Sequence, residues 1–382
     1  MNRFVIRHST TIPGARLLRL AYAPVRLAAA FCLMCASSPA LAGFADDWAR
    51  MKSVVPQGYL CYHTTGPITV DGRLDEGDWQ VAPWTRDFAD IEGKQTPRFR
   101  TRARMLWDQE YFYVAAELEE PHVWATLTNH DAVIFQDNDF EVFIDPNGDS
   151  HEYYEFEINA LNTGWDLLLK KPYKDGGLAL NEWEIPGLKT AVHVNGTINN
   201  PTDRDNGWSV EIAFPWKALA EFAHRRAPPA EGDQWRANFS RVQWRINIVT
   251  GKYQKVPGTR EDNWVWSPQG IIDMHRPEKW GFVQFTNKKF GDGKFLPDPA
   301  LPARDALHGI YYAQRDYEAK NHRWASSLEE LGWSGSGTHV LVRAPTLELT
   351  KDGFEVTAEI KLPDGRSEHW HIRQDARVWV RP

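Results

Sequence analysis

The sequence predicts an all-β fold, an antiparallel β-sandwich, carrying a small α+β piece at its C-terminal end. Three observations predict it. Asp139-Phe-Glu-Val-Phe-Ile-Asp145 and Tyr153-Tyr-Glu-Phe-Glu-Ile-Asn159 alternate strictly, and a period of two marks strands with two unlike faces. Similar short runs separated by turn residues recur from Ile68 to Phe285, which fits a sandwich better than alternating βαβ units. A Gly-, Pro- and Lys-rich stretch over 287–303 then gives way to helical spacing.

The first 42 residues stand outside this pattern. They carry Arg3, Arg7, Arg16, Arg19 and Arg26 with no acid, then the apolar run Leu27 to Cys35, then Ala40-Leu-Ala42. That order describes an export signal cleaved after Ala42, and a periplasmic or extracellular protein. The apolar run is well short of the roughly 20 residues of a membrane span, and no span is expected later. In the sandwich, taken as 43–290, Thr101–Trp107 and Tyr111–Leu118 alternate about an Asp-Gln-Glu turn, with Phe112, Val114, Ala116 and Leu118 inward. A loop or short helix is expected over 121–130. The two alternating strands follow, joined by the turn-rich 146–151 as a hairpin. Further strands are expected at Trp165–Lys170, Lys189–Val194, Trp208–Phe214, Gln234–Trp244, Asn263–Trp266 and Trp280–Phe285, with a short helix opened by Pro215. After a linker over 291–303, the region 304–382 reads as a helix over Asp305–Ala325 and a second short helix capped by Ser326. Four short strands close the chain: Leu347–Leu349, Phe354–Ile360, His369–Ile372 and Val378–Val380.

Composition narrows the function. Removing the leader from 382 residues leaves 340, with 39 basic against 51 acidic residues and a net charge of −12. An acidic chain without a basic stripe excludes nucleic acid and anionic membranes as partners. Cys32 and Cys35 leave with the leader, so Cys61 stands alone. That excludes an intrachain disulfide and a Cys-based zinc or iron–sulfur site.

Five segments occur in order that can be recognised together: Ile68-Thr-Val-Asp-Gly-Arg-Leu-Asp-Glu-Gly-Asp-Trp79, Ala103 to Glu117, Asp137-Asn-Asp-Phe-Glu-Val-Phe-Ile-Asp145, Gly207-Trp-Ser-Val-Glu-Ile-Ala-Phe-Pro-Trp-Lys217 and Trp280-Gly-Phe282. Through them the sequence resembles the family-nine carbohydrate-binding modules over residues 60–285. The resemblance implies a DOMON-like β-sandwich of an exported bacterial protein, a sugar-binding groove, bound calcium, and polysaccharide-degrading enzymes as associates. It places the family's two sugar-stacking Trp at Phe135 and near Met274-His275, so both are replaced. Glu141 matches a ligand-contacting Glu and Asn159 lies on the matching strand. Glu157 stands where sugar-binding members carry Arg, and Ser240 and Arg241 where they carry a Gln-containing segment.

The expected groove is therefore lined by Phe135, Glu141, Glu157, Asn159, Arg241, Trp244, Trp266 and His275. Rings would meet the apolar face of a pyranose, and acids and amides its hydroxyls. From the two strands alone, Glu141, Glu155, Glu157 and Asn159 read more simply as a solvated outer face. The function expected is non-catalytic carbohydrate binding, or binding of a related polyol, accessory to polysaccharide catabolism. Asp145, Asn147 and Asp149 offer alternate oxygens in the manner of a calcium loop. Two further readings stay open. In DOMON-like relatives Met with His or Lys can hold b-type haem, here Met274 or His275 with a second ligand such as His151 or Met105; no Cys-x-x-Cys-His motif is present, and a hydrogen-bonding or packing His275 is expected instead. A glycoside hydrolase would need two carboxyls about 5–10 Å apart, but no region offers the about 250 residues of a glycosidase barrel.

Overall fold

The computed structural model describes residues 43–335 and 340–381, within one compact unit, Ala42–Pro382. The expected export leader lies outside the described residues. The strands are β1 (Gly58–His63), β2 (Ala89–Asp90), β3 (Thr101–Trp107), β4 (Tyr111–Leu118), β5 (Asp139–Asp145), β6 (Tyr153–Asn159), β7 (Gly164–Leu169), β8 (Ala179–Leu180), β9 (Lys189–Asn195), β10 (Gly207–Pro215), β11 (Gln234–Gln243), β12 (Ile246–Val249), β13 (Lys252–Lys255), β14 (Asp262–Val265), β15 (Gly281–Thr286), β16 (Thr346–Thr350), β17 (Gly353–Lys361), β18 (Ser367–Arg373) and β19 (Val378–Arg381). The α-helices are α1 (Phe44–Met51), α2 (Gly77–Val81), α3 (Trp216–Leu219) and α4 (Leu301–Asn321).

A mixed sheet runs in the order β8-β7-β6-β5-β11-β15-β1-β3-β4-β10-β9, with β14 and β2 branching from β11. It curls back on itself. Phe140 and Val142 of β5, at one end of that order, share a core with Val114 of β4 and Val210 and Ile212 of β10 at the other. Alternation explains this: each strand turns its apolar set inward and leaves its other face for separate use.

Pairing is antiparallel throughout this sheet except at β1, which runs parallel to both β15 and β3. The long crossover between His63 and Thr101 makes the parallel β1–β3 neighbour possible. Ile68-Thr-Val70, expected to open the sheet, is irregular instead. The Glu211 carboxylate takes the next two backbone N–H groups, Asp71 at 2.9 Å and Gly72 at 2.8 Å. Gly72 sits at φ +84°, and a Cβ there would meet the His193 nitrogen at 2.6 Å, so the close approach requires glycine.

Elsewhere the differences are local. Residues 121–130 form a loop pinned by Asp137, which accepts from the Thr126 and Leu127 N–H groups. The β12–β13 hairpin has no counterpart in the expected strands. Pro215 precedes α3. Helix α4 starts at Leu301 with a proline in its first turn, so it takes in part of the expected linker, while the segment from Ser326 forms turns rather than a helix. Helix α4 and the antiparallel sheet β16–β19 enclose a second core of Leu307, Ile310, Tyr311, Phe354, Val356 and Ile372, joined by Met51 of α1. Cys61 is a buried free thiol in β1.

Candidate functional site

The face of β5–β7 turned away from the main core floors a pocket of about 270 Å³. Register builds that floor. Glu141 lies opposite Glu157 and Phe143 opposite Glu155 across β5–β6; Trp165 lies opposite Glu157 and Leu167 opposite Glu155 across β6–β7. Ser240 of β11 completes the row beside Glu141. Phe135 and Trp165 wall one side with stacked rings 6.5 Å apart. Tyr173 and His275 wall another, edge to face at 4.4 Å. Ile91, Ile272, Met274 and Arg260 complete the rim.

The polar face read as solvated is in fact covered. Glu141 is 5% exposed, Glu155 5%, Glu157 2% and Asp139 0%. Such burial costs free energy unless the groups are hydrogen-bonded or paired, and here the pairing is incomplete. Asp139 Oδ2, Glu141 Oε2 and Glu155 Oε2 have no partner. Glu157 accepts the Phe135 N–H at 2.9 Å, and the other Asp139 oxygen accepts the Val242 N–H at 3.1 Å. Burial raises the Glu141 pKa to about 7, with the Glu261 charge adding to the rise. Burial and the neighbouring Glu141 charge push Asp139, Glu155 and Glu157 well above the carboxylate range. Near neutral pH this floor therefore offers acid protons as well as acceptors.

Of the expected groove residues, Phe135, Glu141, Glu157 and His275 meet at this pocket. Four do not line it. Asn159 spends its side chain on the loop before β5 and the turn after β6, donating to the Leu127 carbonyl and Asp137 and accepting from the Leu161 and Thr163 N–H groups. Trp244 lies behind Phe135, whose carbonyl accepts its indole N–H at 2.9 Å. Arg241 is one residue beyond Ser240, and a period of two turns it to the opposite face. There it is buried, donating to Glu120, Gln243 and Thr101. Trp266 stacks on Phe239 in the main core.

His275 bonds through Nδ1 with the Tyr153 hydroxyl at 3.0 Å, and burial lowers its pKa to about 4. Neither His151 nor Met105 lines the pocket with it: His151 Nε2 lies 2.9 Å from the Asp375 carbonyl and Met105 is in the main core. In the 145–149 turn, Asp145 accepts the Gly148 and Ser150 N–H groups at 2.9 Å each. Asn147 accepts the Asp149 N–H, and Asp149 accepts from His151 and Arg377. These oxygens thus brace the turn, and one of them also meets the Arg377 guanidinium. Trp165, Tyr173, Glu155 and Asp139 were not among the expected site residues. Trp165 was findable: Trp165, Leu167 and Leu169 alternate, and a hairpin from β6 sets Trp165 against Glu157.

A family model described as "Carbohydrate family 9 binding domain-like" matches residues 70–286. Endo-1,4-beta-xylanase A of Thermotoga maritima is 26% identical over 159 residues, covering 40% of this chain and 12% of the xylanase. Exoglucanase XynX of Acetivibrio thermocellus is 26% identical over 154 residues, with the same two shares. The chain thus spans about an eighth of the length of these curated relatives. A family 9 module from Caldicellulosiruptor kristjanssonii, solved with cellotriose, superposes with a TM-score of 0.41 at 14% identity, over 63% of this chain and 100% of that one.

Proposed function

The chain belongs to the carbohydrate family 9 binding domain-like family, and we propose that its β5–β7 pocket binds a neutral glycan without turning it over. One observation carries the reading. The stacked pair Phe135 and Trp165 stands over a floor of buried carboxyls with unclaimed oxygens. Rings suit the apolar face of a pyranose and the carboxyls its hydroxyls. The groove lies on a β-sandwich of an exported chain, which would work beside separate polysaccharide-degrading enzymes.

The test is calorimetric titration with cello- and xylo-oligosaccharides. Phe135→Ala or Trp165→Ala should weaken binding by about 1–3 kcal/mol with little change in Tm, since each ring is only half-buried. Phe135→Trp should tighten it. Retained affinity in both alanine variants, or turnover of a polysaccharide that Glu141→Gln abolishes, would overturn the reading.

A further inference from the structure

We propose that Glu141 and Glu157 of the pocket floor, with Asp139 buried beside them, form a site for a hard divalent cation of the calcium class. One oxygen from each lies within 4.8 Å of the others. Oxygens about 2.3–2.6 Å from a common calcium ion are at most about 4.6–5.2 Å apart, so the three fit around one ion. No protein cation does this work: among the described residues no Lys, Arg or His forms an ion pair with any of the three or with Glu155. Like charges set directly across a strand pair destabilise it, and Glu141 faces Glu157 in that way.

A second observation lies outside the three. Glu155 is 5% exposed, lines the same pocket, and leaves its Oε2 without a partner. A water held by the ion would supply the missing donor, since calcium takes 6–8 oxygen ligands and waters are commonly among them. The other acidic group with converging oxygens, His130, Asp131 and Asp166, differs in kind. His130 there is exposed and already reaches Glu184 and the Gly164 carbonyl. The ion site stands on its own; only its use to hold sugar hydroxyls on the open side of the ion rests on the glycan reading.

The experiment takes the full chain, stripped with chelator, and titrates it with calcium chloride by calorimetry. Terbium, excited through the neighbouring Trp165, reports the same site optically. The expected result is one site with Kd below about 1 mM, weakened at least tenfold by Glu141→Gln and by Asp139→Asn, and unchanged by His130→Ala or Asn147→Ala. Because these neutral replacements relieve repulsion, the variants should keep the wild-type Tm or exceed it in chelator. Absence of binding to the folded wild type at 10-fold that concentration, or binding indifferent to Glu141→Gln, overturns the site. Glycan affinity that survives chelation overturns only the hydroxyl role; calcium binding without any glycan affinity overturns the sugar reading and leaves the ion standing.

Discussion

Two groups of charges are buried in this protein, and they are handled in opposite ways. Beneath α4, Lys174 pairs with Asp175 at 2.6 Å, and Arg315 reaches the same carboxylate at 2.6 Å. Arg276 there donates to Tyr312, Asp273 and Asp47. Glu278 sits among them: burial works to raise its pKa, but Lys174, His308 and Arg276 outweigh it and hold it near 2. In the pocket the acids have no such neighbours, and burial lifts Glu141 to about 7. Equal burial thus gives a fixed charge in one place and a titrating group in the other. The first arrangement joins pieces of the chain; the second leaves chemistry available to something from outside.

The sharpest way to break the contrast is Glu278→Ala. It removes the carboxylate that accepts from the Tyr312 hydroxyl and balances the nearby Lys174 and Arg276 charges, and removing one member of such a buried network should cost about 3–5 kcal/mol in urea unfolding. Next comes Glu141→Gln, with the opposite sign: measured in chelator at pH 8, it should stabilise by about 1–3 kcal/mol. The pH dependence separates the two regions further. Glu278 has a folded pKa below its ordinary 4.5, so its contribution is present above pH 4.5 and is lost as pH falls toward about 2. Glu141 has a folded pKa above 4.5, so the native state holds the extra proton, and stability falls as pH rises from 4.5 to about 7. Glu141→Gln should flatten the second limb and leave the first. The smallest effect sets the scale: Lys94→Ala breaks an exposed pair with Glu92 and should change stability by less than about 0.5 kcal/mol.

The alternation of Asp139–Asp145 and Tyr153–Asn159 made both faces of β5 and β6 legible, and with them Glu141 and Glu157. The burial of that polar face was not legible, because it comes from Tyr173, Ile272 and His275, which local periodicity cannot place over it. Arg241 and Trp266 were misassigned for a different reason. Their neighbourhood was readable but their parity was not, and a strand offset by one residue exchanges pocket for core. The parallel strand β1 was invisible for lack of any local sign of its partners, which lie in distant parts of the chain.

That strand has a kinetic consequence. β1 is seated between β3 and β15, so residues 58–63 find one neighbour only when 281–286 are present. Sheets closed by contacts this distant in sequence pay loop-closure entropy first and form late. A chain emerging gradually from a ribosome would lack the β1–β15 pairing until nearly 290 residues had appeared. Cys61 stands opposite Phe285 in that last pairing, so the moment its thiol ceases to react with a soluble reagent would time the closing of the sheet.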